Sequence, residues 1–304
     1  MKKFIITLCI ILSVGIVVSL VGIIILAGNG GVDMTNYEKI EKTETLSPNG
    51  KIEISGKVES IKVYETEGDK LQLSYYEGKR LTHTYASDGG NVTLKTDFKS
   101  WFFGFMFLFK SDELTISVGV PHNFCGELVL FGETGKIDVN GIKNLKSLNA
   151  KVTTGSVSVK KVTAKKCYLE TTTGSVNGNE LFVNGEVGIK STTGNIAVSG
   201  LTTNGLLKTE ITTGRTKIDA DCKIARIKST TGDVDISIKT AEEIEIRSTT
   251  GSVTGKINGS ETDFDIETST TTGSCNLMNR SKEGGRKLRV TTTTGSVSLR
   301  FVNE

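Results

Sequence analysis

A Thr-Gly dipeptide recurs at nearly constant intervals through the second half of this 304-residue chain. Its glycines are Gly135, Gly155, Gly174, Gly194, Gly214, Gly232, Gly251, Gly273 and Gly295. The intervals are 20, 19, 20, 20, 18, 19, 22 and 22 residues, and every glycine after the first follows Thr-Thr. Self-similarity of this period marks a stack of small supersecondary units.

The residues around each glycine define the unit. Two and four positions after it come apolar pairs such as Ile137/Val139, Val157/Val159, Ile196/Val198 and Val297/Leu299, with polar residues between. Seven and five positions before it come Leu148/Ala150, Cys167/Leu169, Val187/Ile189 and Leu288/Val290. Alternation of this kind describes two half-buried strands joined by a glycine turn. A third apolar residue, such as Ile142, Val162, Leu181 or Leu201, often follows about seven positions after the glycine. Thr209 and Thr216 interrupt the pattern by taking apolar slots.

No unit of this size buries its apolar side alone. Stacking successive units about 4.8 Å apart creates one continuous core, so the expected fold is all-β: a parallel β-solenoid with coils of about 20 residues over 131–301. Each glycine then marks the same corner, at positive φ. An antiparallel meander is the rival, but two-residue hairpins favour Asn-Gly or Asp-Gly over Thr-Gly. Within a strand, adjacent threonines point to opposite faces. Unless the turn intervenes, that alternation argues against a flat threonine array.

Phe4 to Ala27 is uncharged throughout. As a helix, its 24 residues would span roughly 36 Å, enough to cross a membrane core. The run is longer than a signal-peptide core, and Leu26-Ala27-Gly28 is a poor cleavage site. A single transmembrane helix over 4–27 is therefore expected. Lys2 and Lys3 place residues 1–3 in the cytoplasm and the C-terminal domain outside the cell. Residues 28–45 read as a polar linker. Formal net charge is +3, with 37 basic and 34 acidic residues, a balance that argues against nucleic-acid binding.

Residues 46–130 alternate without the glycine signature, as in Ile52/Ile54, Ile61/Val63 and Ile116/Val118, and read as a β-rich N-terminal cap or irregular coils. Within them Trp101, Phe102, Phe103, Phe105, Phe107 and Phe109 form an aromatic run, either packed on the solenoid end or touching membrane or partner.

Chemistry is sparse. His83 and His122 have no metal-ligand spacing and read as ordinary strand or surface residues. Asp233/Asp235 and Asp219/Asp221 form no carboxylate ladder, because neighbouring coils carry Ser or Thr at the positions equivalent to the first pair. No catalytic residue, metal site or cofactor is expected. Cys167 and Cys275 occupy inward slots, and the five cysteines make no disulfide framework.

Thr153-Thr154-Gly155-Ser156-Val157 and its copies at 172–176, 249–253 and 293–297, with the anchor and β-rich lead-in, resemble a bacterial β-strand-repeat family of proposed adhesins whose function is unknown. The resemblance covers roughly residues 46–300. It implies a β-solenoid at the bacterial cell surface or envelope, and it supplies no catalytic residues. The expected function is that of a non-enzymatic, membrane-anchored adhesin or interaction scaffold for an envelope glycan or protein ligand. An accessory or regulatory role in an envelope-stress system, which the resemblance also implies, and a polysaccharide-active enzyme are the alternatives. Oligomeric state is not legible.

Overall fold

The computed structural model describes residues 37–79, 81–98 and 114–303. The anchor expected over 4–27 and the aromatic residues 101–109 lie outside them. No helix among the described residues is long and apolar enough to cross a membrane. The chain divides after Glu38 into two compact units, and the solenoid is the second, Lys39–Glu304.

The N-terminal strands are β1 (Glu38–Glu44), β2 (Lys51–Gly56), β3 (Ser60–Thr66), β4 (Leu71–Glu77), β5 (Leu81–Asp88), β6 (Asn91–Phe98) and β7 (Thr115–Pro121). The repeats follow as β8 (Glu127–Thr134), β9 (Ile137–Asn140), β10 (Ser147–Thr154), β11 (Val157–Ala164), β12 (Cys167–Thr173), β13 (Val176–Val183), β14 (Val187–Thr193), β15 (Ile196–Thr213) and β16 (Thr216–Thr231). The last are β17 (Val234–Ile238), β18 (Glu243–Thr250), β19 (Val253–Asn258), β20 (Phe264–Thr272), β21 (Arg286–Thr294) and β22 (Val297–Val302).

Strands before the glycine pair parallel from coil to coil, as do strands after it. The antiparallel meander is thereby excluded for the repeats. Equivalent residues form columns. Leu128, Leu148, Cys167, Val187, Leu207, Ala225 and Ile244 stand in register, all buried. So do Ile137, Val157, Val176 and Ile196 on the other side of the turn. The return segments pair as well: Val162, Leu181, Leu201 and Ala220 form a third buried column. Fully burying one such aliphatic side chain is worth about 1.5–3 kcal/mol.

The nine glycines form one column, each at φ between 119° and 146°. A second constraint acts at the same atoms. A Cβ built on Gly194 would lie 1.8 Å from the Gly174 carbonyl oxygen, and one on Gly155 would lie 1.8 Å from that of Gly135. Glycine is thus required both by its own φ and by the backbone of the coil beside it.

The shortest interval also has a local cause. Gly141, Lys161, Glu180 and Gly200 stand at the next bend with φ of 77°, 54°, 53° and 62°. In the following coil the register shifts so that Ala220 pairs with Leu201, dropping this bend residue, and a second shift between Thr203 and Leu206 removes another.

The coils were expected to stack in chain order, and at both ends they do not. Beyond β18 the next layer is β21, with β20 outside it. Gly251 N–H donates to Thr294 O, and Gly295 N–H donates to Thr272 O. The two 22-residue intervals are the trace of this exchange: the chain climbs past one layer, turns, and returns. Residues after Leu277 then fold back over the outer edge of β20. There Ile266 and Arg280 exchange backbone hydrogen bonds, and the Asn279 side chain accepts from Thr268 N–H. This loop covers the open C-terminal edge.

The N-terminal end is built alike. β2 lies between β6 and β8, and β3 between β7 and β9. β5 then adds antiparallel to β6 and β4 antiparallel to β7. A two-residue Gly89-Gly90 turn, φ 56° and 80°, joins β5 to β6, as a type I′ hairpin requires. Part of the segment read as linker is strand: β1 pairs with β4, and Ile40 packs on the core.

Gly194→Ala should destabilise the domain by about 3 kcal/mol or more, from φ strain together with the backbone clash. Urea unfolding of the variant beside wild type measures it. Thr209→Val and Thr216→Val should each raise stability by about 1 kcal/mol, because both hydroxyls are buried without a hydrogen-bond partner.

Candidate functional site

Outside the core, each repeat position becomes a column of like side chains. Both threonines before the glycine are solvent-exposed in most coils, for example Thr153/Thr154, Thr172/Thr173, Thr212/Thr213 and Thr230/Thr231. The expectation that alternation would separate them is corrected by the turn. The residue three before the glycine points inward, and the two that follow, the last of the strand beside the corner, are both exposed. The inward residue is itself often a hydroxyl. Thr171 Oγ1 donates to Gly155 O at 2.9 Å, Ser191 Oγ to Gly174 O at 3.3 Å, and Thr292 Oγ1 to Gly295 O at 3.3 Å. These bonds fasten the inner side of the corner.

The second threonines stand in register from Thr134 through Thr154, Thr173, Thr193, Thr213, Thr231, Thr250 and Thr294 to Thr272. The two columns lie one residue apart, so they form a narrow hydroxyl ridge along the corner. Eight steps at about 4.8 Å make it roughly 38 Å long.

Beside the ridge runs a column of alternating charge: Lys151, Glu170, Lys190, Glu210 and Lys228. Glu170 lies 3.3 Å from Lys151 Nζ and 3.8 Å from Lys190 Nζ. A hydrogen bond from Lys208 holds the Glu210 carboxyl below its ordinary value despite partial desolvation. Farther along, Arg226 pairs with Glu243 at 3.2 Å and Arg289 with Glu267 at 2.9 Å. Exposed pairs of this kind add little stability. Their effect is to leave the face polar but locally neutral.

One cluster escaped sequence reading. Glu59 sits at the foot of the glycine column, where its carbonyl oxygen lies 2.6 Å from a Cβ built on Gly135. Its carboxylate is 3% exposed. Nε2 of His83, fully buried on β5, lies 2.8 Å from Oε1. Thr96 Oγ1 donates to Oε1 at 3.0 Å, and the N–H groups of Lys57 and Val58 donate to Oε2 at 3.1 Å. Glu77 Oε1 lies 3.6 Å from His83 Nδ1. Burial pushes the Glu59 carboxyl up, but the hydrogen bonds and the charge of His83 outweigh it and hold the group below its ordinary value. His83 is therefore no ordinary strand residue: with Glu59 it ties β5 to the β2–β3 corner. Nothing in the spacing of residues 59, 77, 83 and 96 signals this, because the layer exchange brings them together.

The expected glycines are all assembled in one column. Trp101, Phe102, Phe103, Phe105, Phe107 and Phe109 lie outside the described residues, on the stretch joining β6 to β7. Cys125, Cys167, Cys222 and Cys275 are free. Burial pushes the thiols of Cys167 and Cys222 up to about 12, so neither is reactive. Asp233 accepts from Ser252 N–H at 3.0 Å and lies 3.7 Å from Arg215, a structural arrangement. Among the described residues no group of three His, Cys, Asp or Glu is placed to hold a metal ion.

The chain belongs to the Toastrack DUF4097 family, whose model matches residues 49–300. Among solved structures it resembles a proposed adhesin from Bacteroides fragilis, at 14% identity and a TM-score of 0.45, with 86% of this chain and 97% of that one covered. It also resembles a proposed adhesin from Parabacteroides merdae, at 13% identity and TM-score 0.37, covering 86% of this chain and 96% of that one. A proposed cell adhesion protein from Clostridium sporogenes matches at 12% identity and TM-score 0.24, over 87% of this chain and all of that one. These TM-scores lie below 0.5, and no functional argument rests on them. No match is found among curated proteins.

Because Glu59 is held ionised, its contribution is complete above the ordinary carboxyl value of 4.5 and is lost as pH falls through its lower folded value. Glu59→Gln should cost about 3 kcal/mol at neutral pH, and the gap to wild type should narrow as pH falls below about 4. Urea midpoints measured from pH 7 to 3 for both proteins test this.

Proposed function

We propose that this protein is a non-enzymatic surface scaffold, a single-pass membrane protein anchored by residues 4–27, with residues 1–3 in the cytoplasm and the solenoid facing outward. It acts as an adhesin or docking rod for an extended envelope glycan or protein. The observation that carries this reading is the threonine ridge: successive coils repeat the same exposed hydroxyl pair in register along one corner. Hydroxyls both donate and accept, so the ridge offers the same contact at every step to a partner that is itself repetitive. Many weak equal contacts on a stiff rod give avidity without a deep pocket. The apolar run Phe4–Ala27 and the preceding Lys2 and Lys3 support the topology.

Two measurements test the reading. Protease added to intact cells should remove the solenoid, and protection of residues 46–303 would reverse the topology. Replacing Thr173, Thr193, Thr213 and Thr231 by Ala should leave the melting curve within a few degrees of wild type and lower adhesion of protein-coated beads to purified envelope material at least about tenfold. Undiminished adhesion would remove the ridge from the function.

A further inference from the structure

A cleft of about 530 Å³ opens at the N-terminal end of the stack, away from the repeats. Its floor is the outward side of β7, where Thr115 and Ser117 are followed in the same alternation by Gly119. The strands on either side extend the floor. Ser117 stands opposite Lys62 on β3 and Ser74 on β4, while Gly119 stands opposite Tyr64 and Gln72.

Two half-buried tyrosines wall it, Tyr64 on β3 and Tyr76 on β4. Because β4 runs antiparallel to β7, the tyrosines stand at diagonally opposite corners, roughly 17 Å apart from two strand spacings and four residues of rise. Gly119 keeps the ring of Tyr64 in place, since a Cβ there would lie 3.4 Å from its Cε2 and 2.5 Å from Thr66 Cγ2. Lys39, Glu41 and Thr43 of β1 close the far side, with Lys39 Nζ 2.5 Å from Glu41 Oε1.

We infer that this cleft binds a neutral oligosaccharide. Three properties of the lining select that class. Tyr64 and Tyr76 line the cleft as half-buried aromatic groups, the kind of surface on which the C–H side of a pyranose stacks, and their placement two strands and four residues apart suits a short chain of sugars better than a single ring. Thr43, Ser74, Thr115, Ser117 and Gln72 both donate and accept hydrogen bonds, as sugar hydroxyls do. Charge is dispersed: Lys39 is held by Glu41, Lys42 Nζ sits 4.6 Å over the Tyr85 ring, and Lys62, opposite Ser117, adds a single exposed point charge at the edge of the floor, so among the described residues these lysines form no bidentate fork for a phosphate or a polyacid. A peptide adding as a strand needs a free sheet edge, whereas the floor strand β7 is paired on both sides. The volume lies within the range of small-ligand sites.

This inference is independent of the threonine ridge, with which the cleft shares no residue. The full-length protein in detergent is titrated with maltotriose, cellotriose and triacetylchitotriose while the tyrosine ring resonances are followed by NMR. At least one trisaccharide should bind at millimolar or tighter affinity and shift the Tyr64 and Tyr76 rings. Tyr76→Ala, which removes a wall, and Ser117→Gln, which fills the floor, should each weaken binding about tenfold with the melting curve retained. The ring shifts in wild type decide the matter even if one variant fails to fold. Absence of any ring shift, binding that survives both substitutions, or preference for polyglutamate over all three sugars would overturn the inference.

Discussion

The close approach of backbone to backbone at the glycine corner governs this molecule. From coil to coil, the space a Cβ would need is already filled by a carbonyl oxygen about 2 Å from where that atom would stand. The constraint is collective. Once one coil turns there at positive φ, the next must turn at the same place to keep its hydrogen bonds, and the next after that. The column of inward hydroxyls follows from it, because a turn this tight leaves the glycine carbonyl turned inward, within reach of a hydroxyl on the next coil, as for Thr171 and Ser191, or on its own coil, as for Thr292. The outward ridge follows too, since both threonines stand at the end of the strand, beside the corner. Core columns, corner and ridge are therefore three results of one backbone restriction.

Periodicity in sequence reports what repeats and stays silent on what happens once. The parallel columns, the corner glycines and the intruding Thr209 and Thr216 were all legible, because each rests on a local rule applied again and again. The exchange of β20 and β21 was not, although the two 22-residue intervals hold its trace. An interval says how much chain lies between corners and does not say which layer the chain visits next. The Glu59–His83 pair was hidden for the same reason: its members come from coils whose spatial order differs from their chain order. The threonine ridge failed for a different cause. Strand alternation was carried to the last two residues of the strand, beside the corner, where it no longer decides which side is exposed.

The balance of charges along the rod also bears on association. In a parallel stack each side chain stands about 4.8 Å from its equivalents above and below, so a column of one sign would repel itself at every rung. Alternating Lys151, Glu170, Lys190, Glu210 and Lys228 turns that repulsion into a chain of weak attractions. Tyr168 shows the same logic for shape. It lies against the next coil at Gly188, where a Cβ would sit 2.5 Å from its ring. An exposed aromatic is thus laid flat along the stack.

Both ends of the solenoid depart from chain order in their stacking, and this bears on how the chain folds. In the middle of the stack every strand pairs with a neighbour about 20 residues away, so coils can add one after another at small entropic cost. At the C-terminal end this order fails. The strand partner of β20 is β21, which comes later in the chain, and β21 in turn needs β18 on its other face. β20 therefore has no strand to dock on until the last coil is in place, and residues from Ser260 onward must close as a unit. Arg286 stands at the junction. Its Nε donates to Ala241 O at 2.6 Å, one Nη donates to Asn258 O at 2.9 Å, and the guanidinium lies 4.2 Å over the Phe264 ring. One side chain thus joins the last regular coil, the crossing and the outer strand. β21 is thereby held as an interior layer between β18 and β20, and the loop at Asn279 and Arg280 occupies part of the outer edge of β20 that would otherwise stand open.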